Sequence, residues 1–197
     1  MSGLLNAEAH YKRGISLQNL GDYDHALEAF NAAIALNPSY AEAYNYRGIV
    51  LVILERHSNA LVDFGKAIAL KPDYAECHNN LGIVLQDLGR SDEALASFDK
   101  AIALKPDNAR AHNNRGAALS DLRCIDDALI SYEKAIALDP SYAEAFYNRG
   151  MAMHDAKRFD HALASYDKAI ALRPDYAEAH HNRGAVLQDL LDRKSVV

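Results

Sequence analysis

The 197 residues include only two cysteines, five prolines, no tryptophan and no excess of positive charge. Cys77 and Cys124 stand at unlike places in the chain, so no disulfide framework is expected; Cys77 reads as a small thiol in an alanine-sized site, and a reducing compartment fits. The opening residues MSGLLNAEAH lack both the basic start and the apolar run of a signal peptide, and no later window has the length and hydrophobicity of a membrane span. With 21 Lys and Arg against 27 Asp and Glu, the formal net charge is -6. This argues against a nucleic-acid partner, because phosphate binding draws its affinity from clustered cations. The expectation is a cytoplasmic protein without nucleic-acid or membrane partners.

The few prolines are not scattered. Pro38, Pro72, Pro106, Pro140 and Pro174 stand 34 residues apart, and Gly14, Gly48, Gly82, Gly116, Gly150 and Gly184 keep the same step. A fixed period of this size marks stacked supersecondary units, each too small to bury its own apolar face. An all-α solenoid of antiparallel helix pairs follows, read as one domain over 1–197 because nothing interrupts the register. Numbering each unit from Ala7, Ala41, Ala75, Ala109, Ala143 and Ala177 gives repeats 7–40, 41–74, 75–108, 109–142 and 143–176 and a capping helix 177–191, after a leader of residues 1–6.

Positions 4, 8, 11 and 14 of a unit, in the third His78, Gly82, Leu85 and Leu88, follow helical spacing and define a first helix, A. A second, B, carries Ala94, Leu95, Phe98, Ala101, Ile102 and Leu104. Position 18 holds a capping type (Asp24, Ser58, Asp92, Asp126, Asp160) and marks the start of B. The proline ends B. The next A then restarts through a capping box in Ser39/Glu42, Asp73/Glu76, Ser141/Glu144 and Asp175/Glu178, while Asp107 is followed by Arg110, which predicts the weakest cap there. Glycine inside a helix costs about 1 kcal/mol against alanine. Six in register therefore require a close approach, expected against Ala26, Ala60, Ala94, Ala128 and Ala162 on helix B, with Phe30, Phe64, Phe98, Tyr132 and Tyr166 filling the space one turn on.

Gly82, Leu85, Ala94, Phe98, Ala101 and Pro106, repeated in kind through essentially the whole chain, resemble the signature of the tetratricopeptide repeat. The resemblance implies a right-handed superhelix whose A helices line a concave groove for peptides or partner proteins. Two positions depart from the family: His10, His78, His112 and His180 replace the usual tryptophan or tyrosine at position 4, and Arg13, Arg47, Arg115, Arg149 and Arg183 replace leucine at position 7. The arginines read as snorkelling side chains paired to a neighbouring helix, with Asp99, Glu133 and Asp167 at position 25 as candidates.

Positions 2, 5, 6, 9, 12 and 13 point away from positions 4, 8 and 11 and are expected to line the groove. Position 6 supplies Asn80, Asn114, Asn148 and Asn182, with Asn79 and Asn113 at position 5; amides that donate and accept at once suit the backbone of an extended peptide. Alanine at three of the position-6 asparagines is expected to weaken binding and leave stability nearly unchanged. The ladder is similar to that of the repeat region of O-linked N-acetylglucosamine transferases. That likeness implies an alternative to a free-standing adaptor: the substrate-recognition arm of a larger glycosyltransferase. Asp87, Asp121 and Asp155 at position 13 make the groove acidic, favouring basic or neutral partners and disfavouring the clamp of Lys and Arg that some members use for a terminal carboxylate. In the second repeat Tyr46, Ile49, Val52 and Ile53 form an apolar patch and predict a hydrophobic anchor, the alternative being cover by Leu4 and Leu5.

Nine histidines offer no chelating pair with carboxylate or thiolate company, and no nucleophile, base or phosphate loop stands at meaningful spacing. The chain is read as a non-enzymatic scaffold without metal or cofactor. At its end Gly184, Leu187 and Leu191 occupy the side that receives helix B elsewhere. Either a longer parent protein or a weak homo-oligomer through this C-terminal helix is expected.

Overall fold

The computed structural model describes the backbone of residues 2–195 and the side chains of residues 6–192. Among the described residues there are eleven α-helices and no strand. The helices form two compact units, Met1–Leu104 and Lys105–Val197. The first holds α1 (Ser2–Asn19), α2 (Tyr23–Leu36), α3 (Ala41–Ile53), α4 (His57–Leu70), α5 (Ala75–Asp87) and α6 (Ser91–Leu104). The second holds α7 (Ala109–Asp121), α8 (Ile125–Leu138), α9 (Ala143–Asp155), α10 (Phe159–Leu172) and α11 (Ala177–Ser195). Odd-numbered helices are the A helices and even-numbered ones the B helices. The leader 1–6 is no separate segment, since α1 begins at Ser2. The side chains of Leu4 and Leu5, and of 193–197, lie outside the described residues.

Two local devices set the helix lengths. The residue before each proline is pushed out of the α region by the pyrrolidine ring. Accordingly Lys71 and Arg173 close α4 and α10 at φ -139 and -136. The five A helices that a helix B follows end in a left-handed residue at position 15: Gly21, Glu55, Gly89, Arg123 and Lys157, with φ from 57 to 77. The next amide then reaches back five residues, as in Arg90 N to Leu85 O at 2.8 Å and Arg158 N to Met153 O at 2.8 Å. This is the Schellman closure, and three of its five left-handed residues are not glycine, at a cost of about 1 to 2 kcal/mol each.

The N-termini differ from expectation. Helix B starts at position 17, so Asp24, Asp92, Asp126 and Asp160 lie inside the first turn, where their charge favours the helix dipole without capping it. The capping boxes do not form: α3, α5 and α9 begin after Tyr40, Tyr74 and Tyr142, with no side-chain cap bond. Ser39 and Ser141 instead bond Asn37 and Asp139 at 2.8 and 2.6 Å, and Glu42 pairs with Lys71 at 2.9 Å. The order of strength inverts. At the junction expected to be weakest, Asn108 caps α7 by accepting from the Ala111 amide at 3.2 Å.

Helices α3, α5 and α9 each pack on two sides, against the helix B before them and their own. The glycine faces the helix B of its own repeat, and the neighbour is the aromatic ring rather than the alanine row. A Cβ built on Gly82 would stand 2.5 Å from Phe98 Cε1, and one on Gly116 2.6 Å from Tyr132 Cε1. Positions 3 and 10 face the preceding repeat, where Cys77 and Val84 complete a core with Ala60, Phe64 and Ala67. The position-4 histidines tie the junctions: Nε2 of His78, His112 and His180 donates to the carbonyl of Pro72, Pro106 and Pro174 at 3.1, 3.0 and 2.9 Å. On α11, Gly184 has nothing within 4 Å, and Leu187 and Leu191 are exposed.

Gly82→Ala is expected to destabilise the fold by about 1 to 3 kcal/mol through overpacking against Phe98. Gly184→Ala should stabilise it by about 0.5 to 1 kcal/mol, because only helix propensity changes there. Urea denaturation of the two variants checks the pair. Cys77 is buried, with burial pushing its thiol up to about 12, whereas Cys124 is exposed. Iodoacetamide at pH 8 should therefore modify Cys124 in the native protein and Cys77 only after unfolding, as peptide mass analysis will show.

Candidate functional site

The asparagines meet each other before they meet solvent. In the first unit Asn80 donates from Nδ2 to Asn45 Oδ1 at 3.1 Å, and Asn45 in turn donates to the Tyr74 hydroxyl at 3.2 Å. In the second unit Asn148 donates to Asn113 at 3.0 Å, Asn113 to the Tyr142 hydroxyl at 3.5 Å, and Asn182 to the Tyr147 hydroxyl at 3.0 Å. Burial pushes the Tyr142 phenol up to about 12, so its oxygen remains a neutral acceptor at ordinary pH. Position 6 of one A helix thus bonds position 5 of the preceding one. Asn79 and Asn113, expected on the groove face, are 4% and 1% exposed and lie within the packing. Asn80, Asn148 and Asn182 are half-buried with their donors engaged, and Asn114 is engaged as well.

The arginines are structural too, with a shift of partner. Arg47 forks onto the buried Asp63 at 2.7 and 2.6 Å, and Arg115 and Arg149 reach Ser131 and Ser165 at 2.7 and 3.1 Å, all at position 23 of their own repeat. Position 25 of the preceding repeat is used by Arg47, which also bonds Asn31 at 2.6 Å, and by Arg183, which bonds Asp167. That leaves positions 9, 12 and 13 of the A-helix face.

A pocket opens there in each unit, built from the same positions. In the first unit it lies between α3 and α5, about 150 Å³ in volume, walled by Ile49, Val52 and Ile53 on one side and Asn80, Ile83 and Val84 on the other, with Phe64 at its base. In the second it lies between α7 and α9 and is about 390 Å³. Ala117, Ser120 and Asp121 form one wall, Asn148, Met151, Ala152 and Asp155 the other, and Tyr132 takes the place of Phe64. Smaller residues at positions 9, 10 and 12 account for the larger volume. The polarity changes with them: the Tyr132 hydroxyl lies 3.3 Å from Ser120 Oγ, and Arg123, at the left-handed helix end, stands 4.0 Å from Asp155. Asp87, Asp121 and Asp155 are exposed, so three expected acids do face solvent, but Arg123 adds a cation that a search for helical spacing passed over. Tyr46 leaves the apolar patch and stacks against Tyr11 and Phe30, with centroids 5.6 and 6.2 Å apart. Between α9 and α11 the corresponding furrow is crossed by His154 Nε2 and Asp189 Oδ2 at 2.7 Å. Among the described residues no group of three or more His, Cys, Asp or Glu could hold a metal ion, and no helix is long and apolar enough to cross a membrane.

Stacked helix pairs of fixed length, with side-chain-sized pockets between successive first helices, define a helical-repeat protein. The chain belongs to the tetratricopeptide repeat family: models of that description match residues 11–75 and 64–96, and one described as TPR repeat matches 85–122, 125–157 and 152–190. It is similar in structure to YrrB, a TPR protein with an unusual peptide-binding site, at 28% identity and a TM-score of 0.72 over 89% of this chain and 90% of that one. A thermophilic TPR protein of Thermus thermophilus aligns at 25% identity and 0.73 over 92% and 99% of the two chains. PilF of Pseudomonas aeruginosa shares the fold, with a TM-score of 0.86 at 19% identity over 98% and 88%. An uncharacterized protein of Methanocaldococcus jannaschii is 56% identical over 34 residues, which is 17% of this chain and 40% of that protein.

Substituting these asparagines will not be neutral. Asn113→Ala should cost about 1 to 3 kcal/mol, since it strands the Asn148 donor, and Asn148→Ala about 0.5 to 1.5 kcal/mol, both read by urea denaturation.

Proposed function

We propose that the chain is a non-catalytic interaction scaffold that holds an extended peptide, or an extended segment of a partner protein, against the A-helix faces of its units. The family fold is one of protein-interaction scaffolds. The recurrence of one pocket, at the same repeat positions in both units, carries the reading for this chain. Pockets of this kind take single side chains, and the asparagine on each wall keeps its carbonyl oxygen as an acceptor for a peptide N–H once its own N–H₂ is engaged. The peptide-binding site named for YrrB, whose fold covers nearly the same length, accords with this use.

Selection of a random twelve-residue peptide library on the whole chain tests the reading, followed by titration of the selected peptides. Asp121→Lys combined with Asp155→Lys should weaken peptides that use the second unit by about tenfold or more, while the melting temperature stays within a few degrees, because both carboxylates are exposed. No enrichment over an empty matrix would reject it.

A further inference from the structure

The first unit's pocket departs from its own repeat pattern. Position 13 is Asp87, Asp121, Asp155 and Asp189 in later repeats and Ile53 here; position 12 is Gln86, Ser120, His154 and Gln188 there and Val52 here. Val52 is partly buried against the core of the second repeat, but the change at position 13 does not serve the stack. Ile53 remains 45% exposed, and the core of the second repeat is completed from other positions by Leu51, Phe64, Cys77 and Val84. Every wall residue except Asn80 is apolar, and the volume of about 150 Å³ suits one branched aliphatic or small ring-bearing side chain, not the face of a helix.

The rim supplies the second element. No Lys or Arg occurs at positions 2, 6, 9, 12 or 13 of α3 or α5, where the carboxylates are Glu42, Glu76 and Asp87. Glu42 is matched by Lys71, whereas Asp87 is exposed and makes no ion pair among the described residues. Asp87 holds the position that Asp155 holds on the wall of the second unit's pocket. It follows Ile83 by one helical turn, an axial rise of about 6 Å. In an extended peptide, residues two apart point to the same side and are about 6.6 Å apart.

Resting on the peptide-binding reading above, we propose that the α3–α5 pocket selects an aliphatic side chain with a Lys or Arg two residues away, the aliphatic group between Ile49, Val52, Ile53 and Ile83 and the cation on Asp87. A strand laid along the furrow also brings a backbone N–H to Asn80 Oδ1, whose companion Nδ2 is held by Asn45. Apolar burial supplies the affinity and Asp87 the register.

Fluorescence anisotropy on the whole chain provides the test, with three labelled peptides that differ only in Leu-Ser-Lys, Ala-Ser-Lys or Leu-Ser-Glu within a Gly/Ser background. Leu-Ser-Lys should bind about tenfold or more tightly than Ala-Ser-Lys, as burial of a leucine side chain predicts. Leu-Ser-Glu should be weaker by several-fold, with that gap closing in 0.5 M salt. Ile53→Asp should erase the leucine preference and Asp87→Asn the lysine preference, each with an unchanged melting temperature. Equal affinities for the three peptides, or a leucine preference that survives Ile53→Asp, overturn the proposal. A dimer of the chain that Ile53→Asp dissolves would give the pocket to a second copy and also overturn it. If the library yields binders sensitive to Asp121→Lys but without the aliphatic-x-basic spacing, the pocket assignment fails while peptide binding stands; if it yields no binders, both fail.

Discussion

A ring edge resting on bare glycine backbone sets the geometry of this protein. At Gly14, Gly48, Gly82, Gly116 and Gly150 a single added carbon would come within 2.5 to 2.7 Å of an aromatic carbon on the paired helix, a distance that real side chains do not tolerate. The contact fixes how close the two helices of a pair can come, and so how much of the ring is enclosed. Phe30, Phe64, Phe98 and Tyr166 are 0% exposed and Tyr132 is 2% exposed. The same ring has a second duty. Phe64 and Tyr132 close the base of the two pockets, so the helix spacing that stabilises a repeat also sets the depth of the cleft beside it.

The period of the sequence made the helices, the turns and the glycine rows legible, because each is a choice of residue type at a fixed offset from proline. What the period does not carry is an offset of one residue at a helix start. Ser39 and Ser141 are good capping residues standing one place early, and nothing in composition distinguishes Tyr40 or Tyr142 as the boundary. The tyrosine does so through the tertiary structure: Tyr74 and Tyr142 accept from Asn45 and Asn113 at position 5 of their own repeats, and Tyr40 packs its ring on Tyr11 at that position. Asn108, which replaces the tyrosine once, reverts to ordinary side-chain capping.

The site was half legible for a related reason. A helical wheel knows one buried face, toward the helix B of the same repeat, yet within a unit an A helix also packs against the A helix that follows it. Position 5 falls on that side, where Asn113 accepts from Asn148 and donates to Tyr142, which is why it is buried and why these asparagines bond one another instead of standing open. Position 13 is exposed in Ile53, Asp87, Asp121 and Asp155, whereas positions 9 and 12 are half-buried, with Ile49 and Val52 against the core of the second repeat. The contribution of Arg123 was not legible, because it enters from a left-handed turn residue that no helical spacing anticipates.

Division of labour along each repeat explains how near-identical units come to differ in chemistry. Gly48 and Gly116 meet their rings at 2.7 and 2.6 Å, and Ala60, Ala67, Ala128 and Ala135 are all fully buried, so those positions tolerate almost no change in volume. Position 13 lies outside that packing, and position 12 meets it only at the edge, as Val52 does against Phe64 and Ser120 against Tyr132. Val52 and Ile53 in one unit and Ser120 and Asp121 in the other can therefore exchange apolar for polar walls without disturbing the ring beneath them. One core change that accompanies the switch, Phe64 to Tyr132, adds an oxygen that Ser120 meets at 3.3 Å. A hydroxyl at that depth beside Val52 would have no partner from position 12, and an unpartnered hydroxyl costs about 1 to 3 kcal/mol. Between these two pockets the polarity of the wall and the identity of the ring match, whereas the first and third repeats keep Phe30 and Phe98 beneath the polar Gln18 and Gln86.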